Sequence, residues 1–255
     1  MPETNTATPL PVPDAGANPN PNLSVAPPPE PAASPRQSGL PREQMEELSF
    51  TGEIAGVARR PEYVTLLESA QIAPAFVVTL EQDITAAFQL GQQVVGCDAA
   101  RTDATQQEAA AAEALIGSLQ SIQSAARQTH LPDHPALLEN YRVGENLDTS
   151  RAVLLALSQN IIDQGNQERP GGIDTGFVTR VQTERAAYVT AGATQSAEAS
   201  RAKQARVTRD EAVRNILARR RKLQSAADRL WPARQSSSVQ ARVDFKLPAN
   251  RPYSY

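Results

Sequence analysis

Proline is common in this chain, with 20 in 255 residues, yet two long stretches contain none. One begins at Thr79 and has no proline until Pro132; the other lies between Pro170 and Pro232. Proline inside a helix removes a hydrogen bond and clashes with the preceding turn, so long proline-free spans are where long helices can exist. Both spans carry the matching apolar period. In the first, Leu80, Ile84, Ala87, Gly91 and Val94 lead through Ala109 and Ala112 to Ile116, Leu119, Ile122 and Ala126, in steps of three and four. In the second, Phe177, Val181 and Tyr188 lead through Ala202, Ala205 and Arg209 to Ile216, Leu223, Ala227 and Leu230. That recurrence is the signature of one buried helical face.

Thr79-Leu-Glu-Gln82 matches a capping box, which predicts a first long helix over 79–129, roughly 75 Å long at ~1.5 Å per residue. Its polar middle, Asp98 to Thr105, is compatible with a break. The second long helix is predicted to start at Asp174 or Thr175 and to stop at Trp231-Pro232. Helices of matching length predict an antiparallel hairpin, and the charges agree. Glu43 to Glu113 holds twelve acids and three bases; Val213 to Tyr255 holds ten bases and two acids. An antiparallel pairing brings these regions together, which specifies orientation more than it adds stability. Aromatics are only 4% of residues, so the core must come from Ala, Leu, Val and Ile, which suits closely packed helices.

Shorter elements surround the hairpin. Pro61 fits the first position of a helix with Tyr63, Leu66, Leu67 and Ala70 on one face. Asp148, Thr149 or Ser150 can cap another helix, with Val153, Leu154, Leu157, Ile161 and Ile162 apolar and Gly165 as its stop. Residues 134–142 suggest a short helix, and 43–57 are ambiguous between helix and a short extended piece at Leu48 to Thr51. The expected fold class is all-α: an elongated bundle on a long antiparallel helical hairpin, with short accessory helices at both ends. The thin middle invites a partner chain.

Two segments stand apart. Residues 1–41 hold 12 of the 20 prolines and few large apolar residues, and read as a disordered, Pro-rich arm. Pro28-x-x-Pro31 within it fits a PxxP pattern. At the other end, Val239, Ala241, Val243, Phe245 and Leu247 alternate with Gln240, Arg242, Asp244 and Lys246. This is the period of a strand with one wet face. Residues 233–255 are therefore expected to be an extended, strand-like tail beyond a bundle domain at 42–232. The tail would pair with Leu48 to Ile54, lie along its own bundle, or add to the sheet edge of another chain.

The chemistry-bearing motifs are few. His130, Asp133 and His134 have metal-ligand side chains, but Pro132 opposes the helix that would aim both imidazoles at one ion. Cys97, the single cysteine, has no nearby His and reads as a buried or half-buried helix residue. No glycine-rich phosphate loop and no Gly-x-Ser-x-Gly elbow occurs. No enzyme, cofactor, metal or small-molecule site is therefore expected. There is no basic n-region followed by an apolar h-region at the start, and no apolar run approaches the ~18 residues of a membrane span, so a cytoplasmic, membrane-free location is expected.

What remains is contact with other macromolecules. Arg219-Arg220-Arg221-Lys222 is the densest charge run, suited either to the macrodipole at a helix C-terminus or to an anionic surface. The sequence points to a non-enzymatic structural or protein-interaction scaffold. Its contact residues would be Val239, Val243, Phe245 and Leu247 in the tail and Arg219, Arg220, Arg221 and Lys222 on the helix, and its partner a protein, including a second copy of itself. The alternative is a nucleic-acid-associated protein using the same basic helix end with Arg229 and Arg234. The net charge of −3 weighs against that alternative.

Overall fold

The computed structural model describes residues 39–254, which lie within one compact unit, Arg36–Tyr255. Most of the arm expected at 1–41, including Pro28-x-x-Pro31, lies outside the described residues. The elements in order are α1 (Arg42–Ala58), α2 (Pro61–Ser69), α3 (Pro74–His130), a 3-10 turn (Pro135–Tyr141), α4 (Arg151–Glu168), α5 (Thr175–Leu230), a second 3-10 turn (Ser236–Ser238) and α6 (Val239–Asp244). The described residues contain no strand. The protein is an all-α bundle.

The spine is α3 packed on α5, with 57 and 56 residues, each about 85 Å long at ~1.5 Å per residue. They run antiparallel: Asp83 pairs with Arg219 and Asp98 with Arg206, so positions fall on one helix as they rise on the other. α3 is unbroken through Asp98–Thr105. It also starts earlier than the capping box suggested. Pro74 takes the first helical position, and the Thr79 hydroxyl donates instead to the Ala75 carbonyl at 2.8 Å, within the helix. α5 begins as expected at Asp174, whose carboxylate accepts from the Phe177 N–H at 2.6 Å, and ends before Trp231-Pro232.

Side chains bury in three groups. At the first end, α1, α2, α6 and the segment after it close over α3 and α5, and Leu48, Ile54, Leu67, Leu80, Ile216, Leu223 and Phe245 share one core. At the second end, α4 and the 3-10 turn complete a core with Leu119, Ile122, Tyr141, Ile161, Val181 and Tyr188. Between them, among the described residues, Val94, Cys97, Ala202 and Ala205 pack together in a two-helix waist built largely from small residues. In this waist the buried positions on α3 are Val94, Cys97 and Ala104, and the last two lie one residue before Asp98 and Thr105, where steps of three and four carried on from Val94 fall. A helix with 3.6 residues per turn drifts about 20° per heptad, so a long stripe read from sequence slips by a position. α4 continues past Gly165 to Glu168 and stops at Arg169, which is left-handed at φ 46°. Gly165 serves packing instead, since an added Cβ would lie 3.3 Å from Ile122.

Residues 239–247 correct the expectation of a strand. Val239–Asp244 is helix, and Leu48–Ile54, the candidate second strand, lies inside α1. Ser238, Ala241, Arg242 and Phe245 are buried while Val239 and Val243 are 60% and 58% exposed. The spacing of the buried set is helical, not alternate. The physical reason is backbone satisfaction: a lone strand leaves its N–H and C=O groups unpaired, whereas a short helix supplies its own partners. The segment is also not a projecting tail, because Phe245 and Leu247 belong to the same core as Leu48 and Leu80.

Candidate interaction surfaces

The end of α5 is where chain direction, charge and burial combine. Its Arg219-Arg220-Arg221-Lys222 run divides by helical geometry into two inward and two outward residues. Arg219 reaches Asp83 of α3 at 2.6 Å. Arg220 pairs with Glu47 of α1 and lies over the Phe50 ring at 5.1 Å. Arg221 and Lys222 are exposed. The Lys222 ammonium sits 5.3 Å from the Phe76 ring centroid, a cation–π contact that leaves its other side in water.

Arg221 and Lys222 extend into a longer face. With Ala218, Ser225 and Arg229 they line an open groove of about 340 Å³. Arg214 stands one heptad before Arg221, and Arg229 one heptad after Lys222, so four exposed bases follow one side of α5. The only acid within ion-pair distance of the four is Glu211, 4.0 Å from Arg214, counted among the described residues. This row exceeds what the sequence run suggested. The heptad recurrence from Arg214 to Arg229 is present in the sequence, but only the packing of α5 shows that it falls on the exposed side.

Next to this face, α1 and α5 form a second groove of about 650 Å³. Phe50, Val213 and Leu217 give it apolar walls, and Glu43, Glu46 and Glu47 edge it on the α1 side. α1 is fixed here by Gln44, whose amide donates to Asp210 at 3.1 Å. Burial opposes the charge of Asp210, but hydrogen bonds from Gln44 and from Arg209 hold its carboxyl below the usual range. Gln44 Oε1 and Arg220 Nε, both on this groove, are buried without a hydrogen-bond partner among the described residues. Nothing in the sequence marked this acidic groove as separate from the general acidity of residues 43–113.

Beyond the end of α5, the Arg242 guanidinium is buried in a cage of oxygens. It donates to Asp228 Oδ1 at 2.7 Å, to the Pro248 carbonyl from both Nε and Nη2 at 2.9 and 2.7 Å, to the Arg251 carbonyl at 2.8 Å and to the Trp231 carbonyl. Beside it Tyr63, Trp231 and Phe245 meet ring to ring at 5.2–5.3 Å. The Tyr63 hydroxyl donates to Asp244 at 2.7 Å. Burial, then that bond to a carboxylate, pushes Tyr63 up to about 12, and the same bond holds Asp244 below its ordinary value. Of the expected tail contacts, Val239 and Val243 are therefore exposed, while Phe245 and Leu247 face the core.

The His130, Asp133 and His134 cluster does not converge. His130 ends α3 beside Glu168, its Nε2 3.3 Å from the carboxylate, with its ring 5.9 Å from Tyr141. Asp133 and His134 are exposed. Tyr141 donates to Glu168 at 2.9 Å, and burial followed by that bond raises its pKa. Among the described residues no three His, Cys, Asp or Glu side chains are arranged to hold a metal ion. Cys97 is a buried free thiol. The apolar recess between α1, α2 and α3, about 200 Å³, is lined by Val64, Leu67, Ile72 and Val77 with Arg59 at its rim, and the Arg59 guanidinium is already bound to Glu81 at 3.0 Å. Among the described residues no single helix is long and apolar enough to cross a membrane. Comparison with protein-family models, curated proteins and solved structures gave no match, so the functional reading rests on these surfaces.

Proposed function

We infer that this chain is a non-enzymatic interaction scaffold in which the hairpin rigidly presents the basic face of α5 to an anionic protein surface. The observation that supports this most is the alignment of Arg214, Arg221, Lys222 and Arg229 on one exposed side of α5, away from the ion pairs that hold the bundle together. Arg219 and Arg220 belong to the fold; the other four cations stand exposed, Arg214 within 4.0 Å of Glu211 and Lys222 beside the Phe76 ring. A long helix packed on a second one holds them at fixed spacing, which lowers the ordering cost of binding.

Nucleic-acid association is the second reading, supported by the same four cations, which would neutralise phosphates. Both are tested by fluorescence anisotropy with a labelled polyglutamate peptide and a labelled duplex DNA, titrated with the protein at low and moderate salt. The interaction reading expects peptide binding that weakens with salt and is lost in Arg221→Glu/Arg229→Glu. Duplex binding with a steep salt dependence, and none of the peptide, moves the function to nucleic acid. If neither probe binds at low salt, at protein concentrations where the chain is monomeric, the basic face is not a contact surface.

A further inference from the structure

We propose that the anionic surface recognised by the α5 basic face is the α1 edge of a second copy of this chain, giving a two-fold dimer. The proposal rests on the reading above and names its partner.

The two surfaces share α5. Val213, Leu217 and Arg220 line the acidic groove, while Arg214, Ala218 and Arg221 stand one residue further on, about 100° around the helix. Each copy thus carries an acidic edge and a basic face side by side at the same end. A two-fold axis between the copies places each edge against the other copy's face, so both contacts form at once. This is the self-complementary arrangement of an isologous interface.

The chemistry of the groove fits the occupant. Glu43 has no ion-pair partner among the described residues, and Glu46 is bound only to Arg42, which is 87% exposed in its side chain. The apolar walls, Phe50, Val213 and Leu217, suit the methylene stems of Arg and Lys, which bury their carbons while the charged head reaches polar groups. A partner's Arg221 or Lys222 entering the groove meets apolar surface along its stem and carboxylates at its head.

Sedimentation velocity on the full chain tests this. At about 50 mM salt the wild type is expected to dimerise, and at about 500 mM to dissociate, because rim charges are screened within a few ångströms at high ionic strength. Glu43→Lys/Glu46→Lys alone and Arg221→Glu/Arg229→Glu alone are each expected to weaken the dimer by roughly tenfold or more. Mixing those two variants is expected to restore a dimer, because the basic, reversed edge of the first then meets the acidic, reversed face of the second, and the native face of the first meets the native edge of the second. A monomer at low salt and high concentration overturns the proposal, and so does a dimer that neither pair of reversals weakens. Loss in both variants without rescue on mixing overturns the two-fold arrangement. In each case, polyglutamate binding that survives leaves the basic face as a contact surface for another anionic partner.

Discussion

Arg242 shows how one side chain can decide the fold of twenty residues. It occupies a polar position in the alternating Val239–Leu247 pattern, yet it is 1% exposed. Its guanidinium ties the end of α5, through Asp228 and the Trp231 carbonyl, to Pro248 and Arg251 in the last described turn. Breaking a buried pair by removing one partner costs about 3–5 kcal/mol, since the acceptors stay buried and unpaired. Arg242→Met is therefore expected to lower stability in urea by that amount and to speed amide exchange over residues 236–254. Unchanged exchange there would mean the apolar contacts of Phe245 and Leu247 suffice. Asp244 makes a pH prediction. Its carboxyl is held below its ordinary value, so its contribution to stability is fully present above about pH 4 and is lost as pH falls through the folded value. The melting-temperature gap between wild type and Asp244→Asn should be widest near neutrality and close in acid. A gap independent of pH would show that Asn fails for steric reasons. Tyr63 acts in the opposite range: raised to about 12, it contributes below about pH 10 and loses that contribution between about 10 and 12.

The elements show where local signals hold and where packing overrides them. Pro61, Asp174 and Trp231-Pro232 mark helix boundaries where the chain chemistry places them. Such signals are local and survive any tertiary context. α1 is a different case. Leu48-Ser-Phe-Thr has the composition of an extended piece, but Leu48, Thr51, Ala55 and Ala58 bury at helical spacing, and the Thr51 hydroxyl donates to the Glu47 carbonyl at 2.7 Å. Its entry is fixed by Gly39, whose φ is +60° and whose added Cβ would come within 1.8 Å of the Gly91 carbonyl oxygen on α3. Arg209 of α5 donates to the Gly39 carbonyl at 2.7 Å. Gly39→Ala is thus expected to release residues 39–41 from α3 and α5, seen as new proteolytic cleavage just ahead of α1 and a lower melting temperature. An unchanged cleavage pattern would mean that Leu40, buried beside it, anchors the entry alone.

At the scale of the whole bundle, two cores are joined by a waist where only small side chains pack. Stability in such a molecule need not be uniform, since local unfolding follows local contact density. The single tryptophan, Trp231, reports on the first end only. Leu119→Ala in the other core should cost about 2–5 kcal/mol there. The expected result is an earlier loss of helix by circular dichroism, with the tryptophan transition unmoved. Coincident shifts would show that the long helices couple both ends into one unit. The acid–base meeting foreseen from the sequence is present, with Arg219 on Asp83, Arg220 on Glu47 and Lys246 near Glu53. The carboxylates of these pairs remain open to solvent, so each pair contributes only about 0–1 kcal/mol, and they select the antiparallel orientation while the cores hold it.

The sequence by itself determined the helical hairpin, its direction and most of its boundaries, because proline exclusion, capping and a 3.6-residue period act within a few residues of one another. Tertiary structure alone decided that Val239–Asp244 is helix, that α1 is helix throughout, and which arginines of the 219–222 run are consumed by the fold. Those outcomes depend on carbonyls, carboxylates and apolar surface brought from far along the chain. Period-2 alternation over nine residues cannot register that a buried oxygen cage awaits Arg242, and a run of four cations cannot show which two face acids on neighbouring helices.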